Sequence, residues 1–246
     1  MAKAKKSTQK QKSDRLSSIQ NDFVTITSHQ LRTPLSGSKW LLELLLKEGT
    51  GNLNKKQKDF IERLYASNEQ MIALVNDLLE VSRIESGESK IYLQSVDLAS
   101  IIRSMIKEKS KAVKNKNLNI SLTIEQEPFP AVTTEPNRIK QAISNLLTNA
   151  INYTQEKGNI NLDLKLEGKM AICSISDSGV GIPKEQQKQI FNKFFRANNV
   201  LNFETSGTGL GLFITKSFIE ASGGKIWFKS EPGKGTTFFF TLPVAK

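Results

Sequence analysis

The sequence predicts two folding units: an all-α helical hairpin over residues 15–88 and an α+β sandwich over residues 89–246, behind a basic tail at 1–14. Three observations carry this reading. Apolar residues in the first third recur at alternating intervals of three and four, the spacing of helices that pack along a seam. Beyond residue 88, stretches with a period of two alternate with helical stretches, the pattern of a sheet covered by helices. The length of 246 residues is enough for two separate cores, and no run of about 20 apolar residues offers a membrane span.

The first helix enters on Leu16, Ile19, Phe23 and Ile26, a seam beside which His29 falls three residues later. Pro34 removes a backbone donor, so a bend just after the histidine is expected. The helix resumes through Trp40 to Leu46, and the glycine-bearing run from Glu48 to Asn54 stops it and provides a new cap. A second helix carries Ile61, Leu64, Asn68, Met71, Val75 and Leu78, widened by Phe60, Leu74 and Val81. Stripes this wide leave apolar surface open on a lone hairpin, so pairing into a dimeric four-helix bundle is expected. Asn68 on the stripe reads as a polar residue that sets register.

In the second unit Asp97 caps a helix expected to run to about Asn117. Strands follow at 118–124 and near Val132, then a helix at 136–153. Residues 159–166 and 170–176 alternate as a hairpin turning at Glu167-Gly168. Helices are expected at 184–194 and 210–221, and strands at 225–230 and 236–242.

Composition narrows the chemistry. His29 is the single histidine and Cys173 the single cysteine, which argues against a zinc site, a disulfide framework and a Ser-His or Cys-His hydrolase built on any other base. The lone cysteine fits a reducing compartment. Residues 1–12 are polar, which does not fit a signal peptide, and a cytoplasmic setting is expected. The net charge of +11 is concentrated at Lys3, Lys5, Lys6, Lys10 and Lys12, with the remaining cations interspersed among acids. This reads as a solvated basic tail, the alternative being contact with anionic lipid or nucleic acid. No nucleic-acid motif accompanies it, so no nucleic-acid partner is expected.

Three segments concentrate the remaining chemistry. Asn145 and Asn149 stand four apart on one helix, so both amides leave from one face. Their oxygens suit a hard cation such as magnesium, or they are satisfied surface amides. Asp177-Ser178-Gly179-Val180-Gly181 closes a strand, where the carboxylate can accept from an exocyclic amine and the glycines let backbone approach a flat ring. Gly207-Thr208-Gly209-Leu210-Gly211-Leu212 opens a helix, where bare amides favour phosphate. Its spacing is not that of a dinucleotide fingerprint, and a P-loop is absent.

Taken in order, these segments resemble the sensor histidine kinases of two-component systems. Ser28-His29-Gln30-Leu31-Arg32-Thr33-Pro34-Leu35 is similar to the family's phosphoacceptor box and Asn145 to Ala150 to its N box. Asp177 to Gly181 and Gly207 to Leu212 are similar to its two glycine boxes, and Phe191-Asn192-Lys193-Phe194-Phe195-Arg196 to its F box. The resemblance covers roughly residues 15–243. It implies a homodimeric phosphotransfer hairpin followed by a Bergerat-type ATP-binding domain. It further implies that His29 Nε2 takes the γ-phosphoryl group of ATP and that an aspartate on a response regulator receiver domain receives it.

By the same resemblance Asp177 holds the adenine amine, Asn149 holds Mg2+ with Asn145 beside it, and Tyr153 covers the nucleotide. Gly179, Gly181, Ile182, Gly207, Thr208, Gly209, Leu210, Gly211, Leu212 and Thr236 line its site, Arg196 reaches the γ-phosphate, and residues 197–206 form a lid. Phe191, Phe194 and Phe195 read as core anchors of the lid hinge.

Related gyrase and chaperone ATPases carry a glutamate base where this chain has Asn145, and an amide takes no proton from water, so slow hydrolysis is expected. Two positions depart from the family pattern. Gln30 stands where an acid is common; it accepts Nδ1–H but not the proton, which implies slower autophosphorylation. Asn152 stands where a base is common, so one phosphate contact is expected to be either weaker or supplied by Lys193 or Arg138. Thr33, four residues beyond His29, either orients water for dephosphorylation of the regulator or bonds back to its own helix. Two rivals remain, a non-catalytic ATP-binding dimer that passes conformational signals or works chiefly as a regulator phosphatase, and a nucleic-acid-stimulated ATPase. The chain has no membrane segment, although a longer parent could be membrane-attached.

Overall fold

The computed structural model describes residues 27–28, 30–47, 53–88, 90–200 and 207–245. The seam from Leu16 to Ile26, His29, the turn at 48–52 and residues 201–206 lie outside the described residues. The chain divides into two compact units, one through Lys90 and one over Ile91–Lys246.

In the first unit, residues 30–46 are helical (α1), and α2 spans Lys55–Glu85. The helix continues through Pro34. Asn54 starts α2 with a reciprocal capping box: its side chain accepts from Gln57 N at 2.9 Å, and Gln57 Oε1 accepts from Asn54 N at 2.9 Å. Three cross-helix pairs fix an antiparallel hairpin. Arg32 donates to Asn76 Oδ1 at 2.8 Å, Lys39 pairs with Glu69 at 3.0 Å, and Tyr65 donates to Glu43 at 3.2 Å. Asn68 is buried, and its amide donates to Leu35 O at 3.0 Å. The expected register residue therefore bonds to the backbone of α1. Leu31, Trp40, Leu41 and Leu45 on α1 and Phe60, Leu64, Met71 and Leu74 on α2 remain exposed.

The second unit packs helices on one face of a mixed sheet. Strands β2 (Asn119–Ile124), β4 (Asn159–Glu167), β5 (Met170–Asp177), β7 (Gly235–Pro243) and β6 (Ile226–Glu231) lie in the order β2-β4-β5-β7-β6. The β2–β4 pair is parallel and the others antiparallel. A parallel neighbour needs a crossover, and α5 (Pro136–Tyr153) lies within the connection between β2 and β4. Alternation along each strand sends Ile160, Leu162, Leu164, Ala171, Cys173, Ile175, Phe238, Phe240 and Leu242 inward. Against them α5 buries Ile139, Ala142, Ile143, Leu146, Leu147, Ala150 and Ile151, in the same core as residues of α3 (Leu98–Glu108) and α6 (Gly211–Ala221).

Three elements differ from the sequence reading. β1 (Gln94–Val96), paired antiparallel with β3 (Val132–Thr134), is too short for hydropathy to mark. The helix expected from Asp97 to Asn117 divides at Lys109 into α3 and α4 (Ser110–Asn115), and Val113 of α4 joins the common core. The helix expected at 184–194 is a 3₁₀ helix over Lys184–Gln189 followed by turns. Gln187 Nε2 donates to Ile182 O and Ser230 O, both at 3.1 Å, tying that segment to β6. Phe194 takes a left-handed backbone, φ +61°, which ends any helix there.

Candidate functional site

The C-terminal ends of α5 and β5 lie together. Val180 N donates to Tyr153 O at 3.3 Å and Ser178 N to Asn159 O at 3.0 Å, so the loop after β5 is held against the last turn of α5. Gly179 packs so closely there that an added Cβ would land on the Tyr153 carbonyl, and one on Gly181, at φ +65°, would strike Glu231 O. Both glycines are therefore required by backbone approach, and Gly181 by its conformation as well.

Asp177 is the perturbed acid of this region. Its Oδ1 accepts from Gly179 N at 2.8 Å and Thr236 N at 3.2 Å. Burial nevertheless pushes its pKa up to about 6, the two amide bonds pulling the other way. Both bonds end on one oxygen, so Oδ2 is the atom left to take a donor. Behind it, Gly235 sits at φ +112°, where a Cβ would run into the Asp177 carbonyl. Thr236 Oγ1 and Ser230 Oγ lie 2.8 Å apart, and Ser230 Oγ accepts from Ile182 N at 2.9 Å, which fixes the loop on its β6 side.

Asn145, Asn149 and Tyr153 occupy one face of α5 at successive intervals of four. Asn145 Nδ2 reaches Gly211 O at 3.4 Å, at the start of α6. The Asn149 side chain makes no hydrogen bond among the described residues. A Cβ built on Gly207 would lie 3.9 Å from both Tyr153 Oη and Arg196 Nε, so these three residues share one locality. A Cβ on Gly209, at φ +72°, would meet the Phe194 backbone. The positive φ values of Gly209 and Phe194 are thus partners in one close contact. Leu210 N donates to Thr208 Oγ1 at 3.2 Å, Leu210 is fully buried, and among the described residues no side chain caps α6. The first amides of α6 are open to an anion.

The structure thus brings together Asn145, Tyr153, Asp177, Gly179, Gly181, Ile182, Arg196, Gly207, Gly209, Gly211 and Thr236. Other expected residues sit elsewhere or in other roles. Lys193 is exposed, with its ammonium 5.6 Å from the Phe213 ring. Arg138 lies near the other end of α5, paired with Glu135 at 3.0 Å and stacked 5.0 Å from the Phe218 ring, so it is committed to the helix start. Phe191 packs edge-on to Phe228 at 6.1 Å and against the core, whereas Phe194 is exposed. At the start of the expected lid Val200 is buried, and Asn199 Nδ2 donates to Gly181 O at 2.9 Å. In the first unit Gln30 and Thr33 are exposed on α1. Sequence reasoning missed Ser230, Asn199 and Gly235, whose neighbours are distant in sequence. The closely spaced Gly233 and Gly235 before Thr236 were the one local signal.

Two family models match the chain, one in each unit. Residues 19–87 match the family model of the His Kinase A (phospho-acceptor) domain, and residues 134–246 that of the histidine kinase-, DNA gyrase B- and HSP90-like ATPases. The chain is 31% identical over 223 residues to the circadian input-output histidine kinase CikA of Synechococcus elongatus and 32% over 232 residues to the sensor histidine kinase WalK of Bacillus subtilis. These alignments cover 90% and 94% of this chain but 30% and 38% of the relatives' own length. Among solved structures, full-length ShkA in complex with AMPPNP superposes with a TM-score of 0.74 at 27% identity, over 91% of this chain and 46% of that one. The catalytic domain of histidine kinase ThkA aligns at 30% identity and a TM-score of 0.55, over 63% of this chain and 99% of that domain. With the hairpin, the sheet order and the glycine-lined end of α5 in place, the chain belongs to the histidine kinases.

Proposed function

We propose that the chain is the catalytic core of a two-component sensor, an ATP-dependent protein kinase that phosphorylates its own His29 and passes the phosphoryl group to an aspartate of a response regulator. The observation that carries the ATP reading is the convergence of a half-buried carboxylate, Asp177, with the asparagine face of α5 and the uncapped start of α6. The relative ShkA, solved with AMPPNP, supports the choice of ligand.

Asp177 Oδ2 accepts from the adenine amine, and Gly179, Gly181, Ile182 and Thr236 shape the wall around the ring. The phosphates lie toward Gly207, Thr208, Gly209, Leu210, Gly211 and Leu212, whose amides and helix dipole stabilise negative charge. Arg196, near Gly207, neutralises the γ-phosphoryl group, and Tyr153 covers the nucleotide. The Asn149 amide, with Asn145 beside it, would hold Mg2+, which would supply neutralisation of phosphate charge when bound. The donor set fits a hard ion that draws its other ligands from phosphate and water, and among the described residues no cluster of His, Cys, Asp or Glu could hold a metal by itself.

In the transfer, a bond forms between His29 Nε2 and the γ-phosphorus while the β,γ-bridging P–O bond breaks and ADP leaves. Gln30 accepts Nδ1–H through its amide oxygen, keeping Nε2 the nucleophile. Thr33 serves dephosphorylation of the regulator. The exposed apolar residues of α1 and α2 are the faces through which two hairpins pair into a homodimer, and the protein works in the cytoplasm.

Incubation with Mg-ATP labelled at the γ-phosphate tests the proposal. It expects acid-labile, base-stable label on the wild-type chain and none on His29→Ala. Equal labelling of the two sinks it.

A further inference from the structure

The last turn of α5 carries Tyr153 and abuts the Asp177 loop, yet it contains no basic residue of its own. A helix C-terminus presents bare carbonyls and a partial negative charge, roughly half an elementary charge for a helix of ordinary length. Placed beside a triphosphate, that end would repel the ligand and fray. Each carbonyl of this turn has an assigned donor. Ala150 O accepts from Thr154 N at 3.1 Å and from Thr154 Oγ1 at 2.6 Å, and Tyr153 O accepts from Val180 N at 3.3 Å. The other three converge on one cation from a different element. Lys116 Nζ donates to Ile151 O at 2.9 Å, Asn152 O at 2.8 Å and Thr154 O at 3.2 Å.

We propose that Lys116, the C-cap residue of α4, is a positioning residue for the nucleotide site: its ammonium holds and neutralises the C-terminal turn of α5 and so sets Tyr153 and the Asp177 loop for binding. The inference rests on the nucleotide reading above and adds to it a residue that touches no ligand. The partly buried ammonium uses all three of its donors on this turn, the geometry of a clamp rather than of a solvated surface lysine. Lys157 N also donates to Lys116 O at 3.2 Å, so the segment after α5 returns to the same residue and is held there. Asn119 N donates to Gly158 O at 2.9 Å, linking that segment onward into the β2–β4 pair.

Mg-ADP binding to the full chain, measured calorimetrically, tests the clamp on four proteins: wild type, Lys116→Met, Lys116→Arg and Asp177→Asn. Lys116→Met is expected to weaken binding about tenfold, while Lys116→Arg, which keeps charge and donors, stays within about threefold of wild type. Amide exchange of Thr154 and Val180 in nucleotide-free Lys116→Met should rise with it, and a merely global loss of stability would raise exchange throughout the core instead. Wild-type affinity in Lys116→Met, with binding lost in Asp177→Asn, overturns the clamp and leaves the nucleotide reading standing. A wild-type chain that fails to bind Mg-ADP overturns both. If Lys116→Met does not fold, Lys116→Gln, neutral and with an amide donor, takes its place with the same two outcomes.

Discussion

Asp177 shows how one residue trades stability for binding. Its carboxyl is pushed from the ordinary aspartate range to about 6 by burial, so the folded, ligand-free chain holds this proton more tightly than the unfolded one. The associated stability is present below the unfolded value near 4 and is lost as pH rises through about 6. Above that, the ionised form costs up to about 2 kcal/mol after allowance for partial exposure. Asp177→Asn removes this cost, and its nucleotide-free form should melt at higher temperature than wild type at pH 7, read by calorimetry. The same change should weaken adenine-nucleotide binding about 10- to 100-fold, because a charged acceptor is lost. Wild-type affinity should fall as pH drops below about 6, and the variant's profile should be flat there. Asp177 stood out in the sequence because glycines follow it at a strand end. Its burial did not, because Thr236, which donates to it, lies 59 residues away.

Among elements, the loop after β5 and the β6–β7 turn are interlocked through backbone. Gly233 N donates to Val180 O at 2.8 Å, and Gly235 offers the only backbone that fits beneath the Asp177 carbonyl, in a conformation that side chains rarely adopt. Gly235→Ala should therefore destabilise the second unit by about 2–4 kcal/mol and weaken nucleotide binding with it, measured by denaturant midpoint and titration. Helix α5 was legible with its boundaries because Pro136 opens it and its apolar period is unbroken. The segment after Pro183 was not. Its helical pattern yields to a 3₁₀ turn because Gln187 bonds outward to β6 and the Phe194 backbone accommodates Gly209. Those contacts come from residues 15 to 43 positions away, beyond the reach of a helical period.

For the molecule as a whole, the first unit is incomplete by itself. A hairpin that leaves Trp40, Leu41, Phe60, Leu64, Met71 and Leu74 exposed needs a second apolar surface, and the proposed occupant is another copy of the hairpin. Leu64→Glu, at a position 59% exposed within one hairpin, should leave that hairpin's fold intact and shift the chain from dimer to monomer in sedimentation. A variant that stays dimeric would place the interface elsewhere. The second unit has its own continuous core between the sheet and α3, α5 and α6, and its stability should not depend on that exchange.

Local sequence determined what depends on short intervals: the two helical periods, the alternating strands, the paired asparagines of α5 and the glycines that mark each loop. These are consequences of 3.6-residue and two-residue repeats and of glycine's backbone freedom, all contained within a few neighbouring positions. Tertiary structure decided the rest. Which carbonyls Lys116 caps, how deeply Asp177 is buried, which glycine faces Phe194 and where Arg138 spends its charge depend on chain segments meeting across the sheet. Desolvation and hydrogen-bond geometry are properties of those meetings, so no window of sequence contains them.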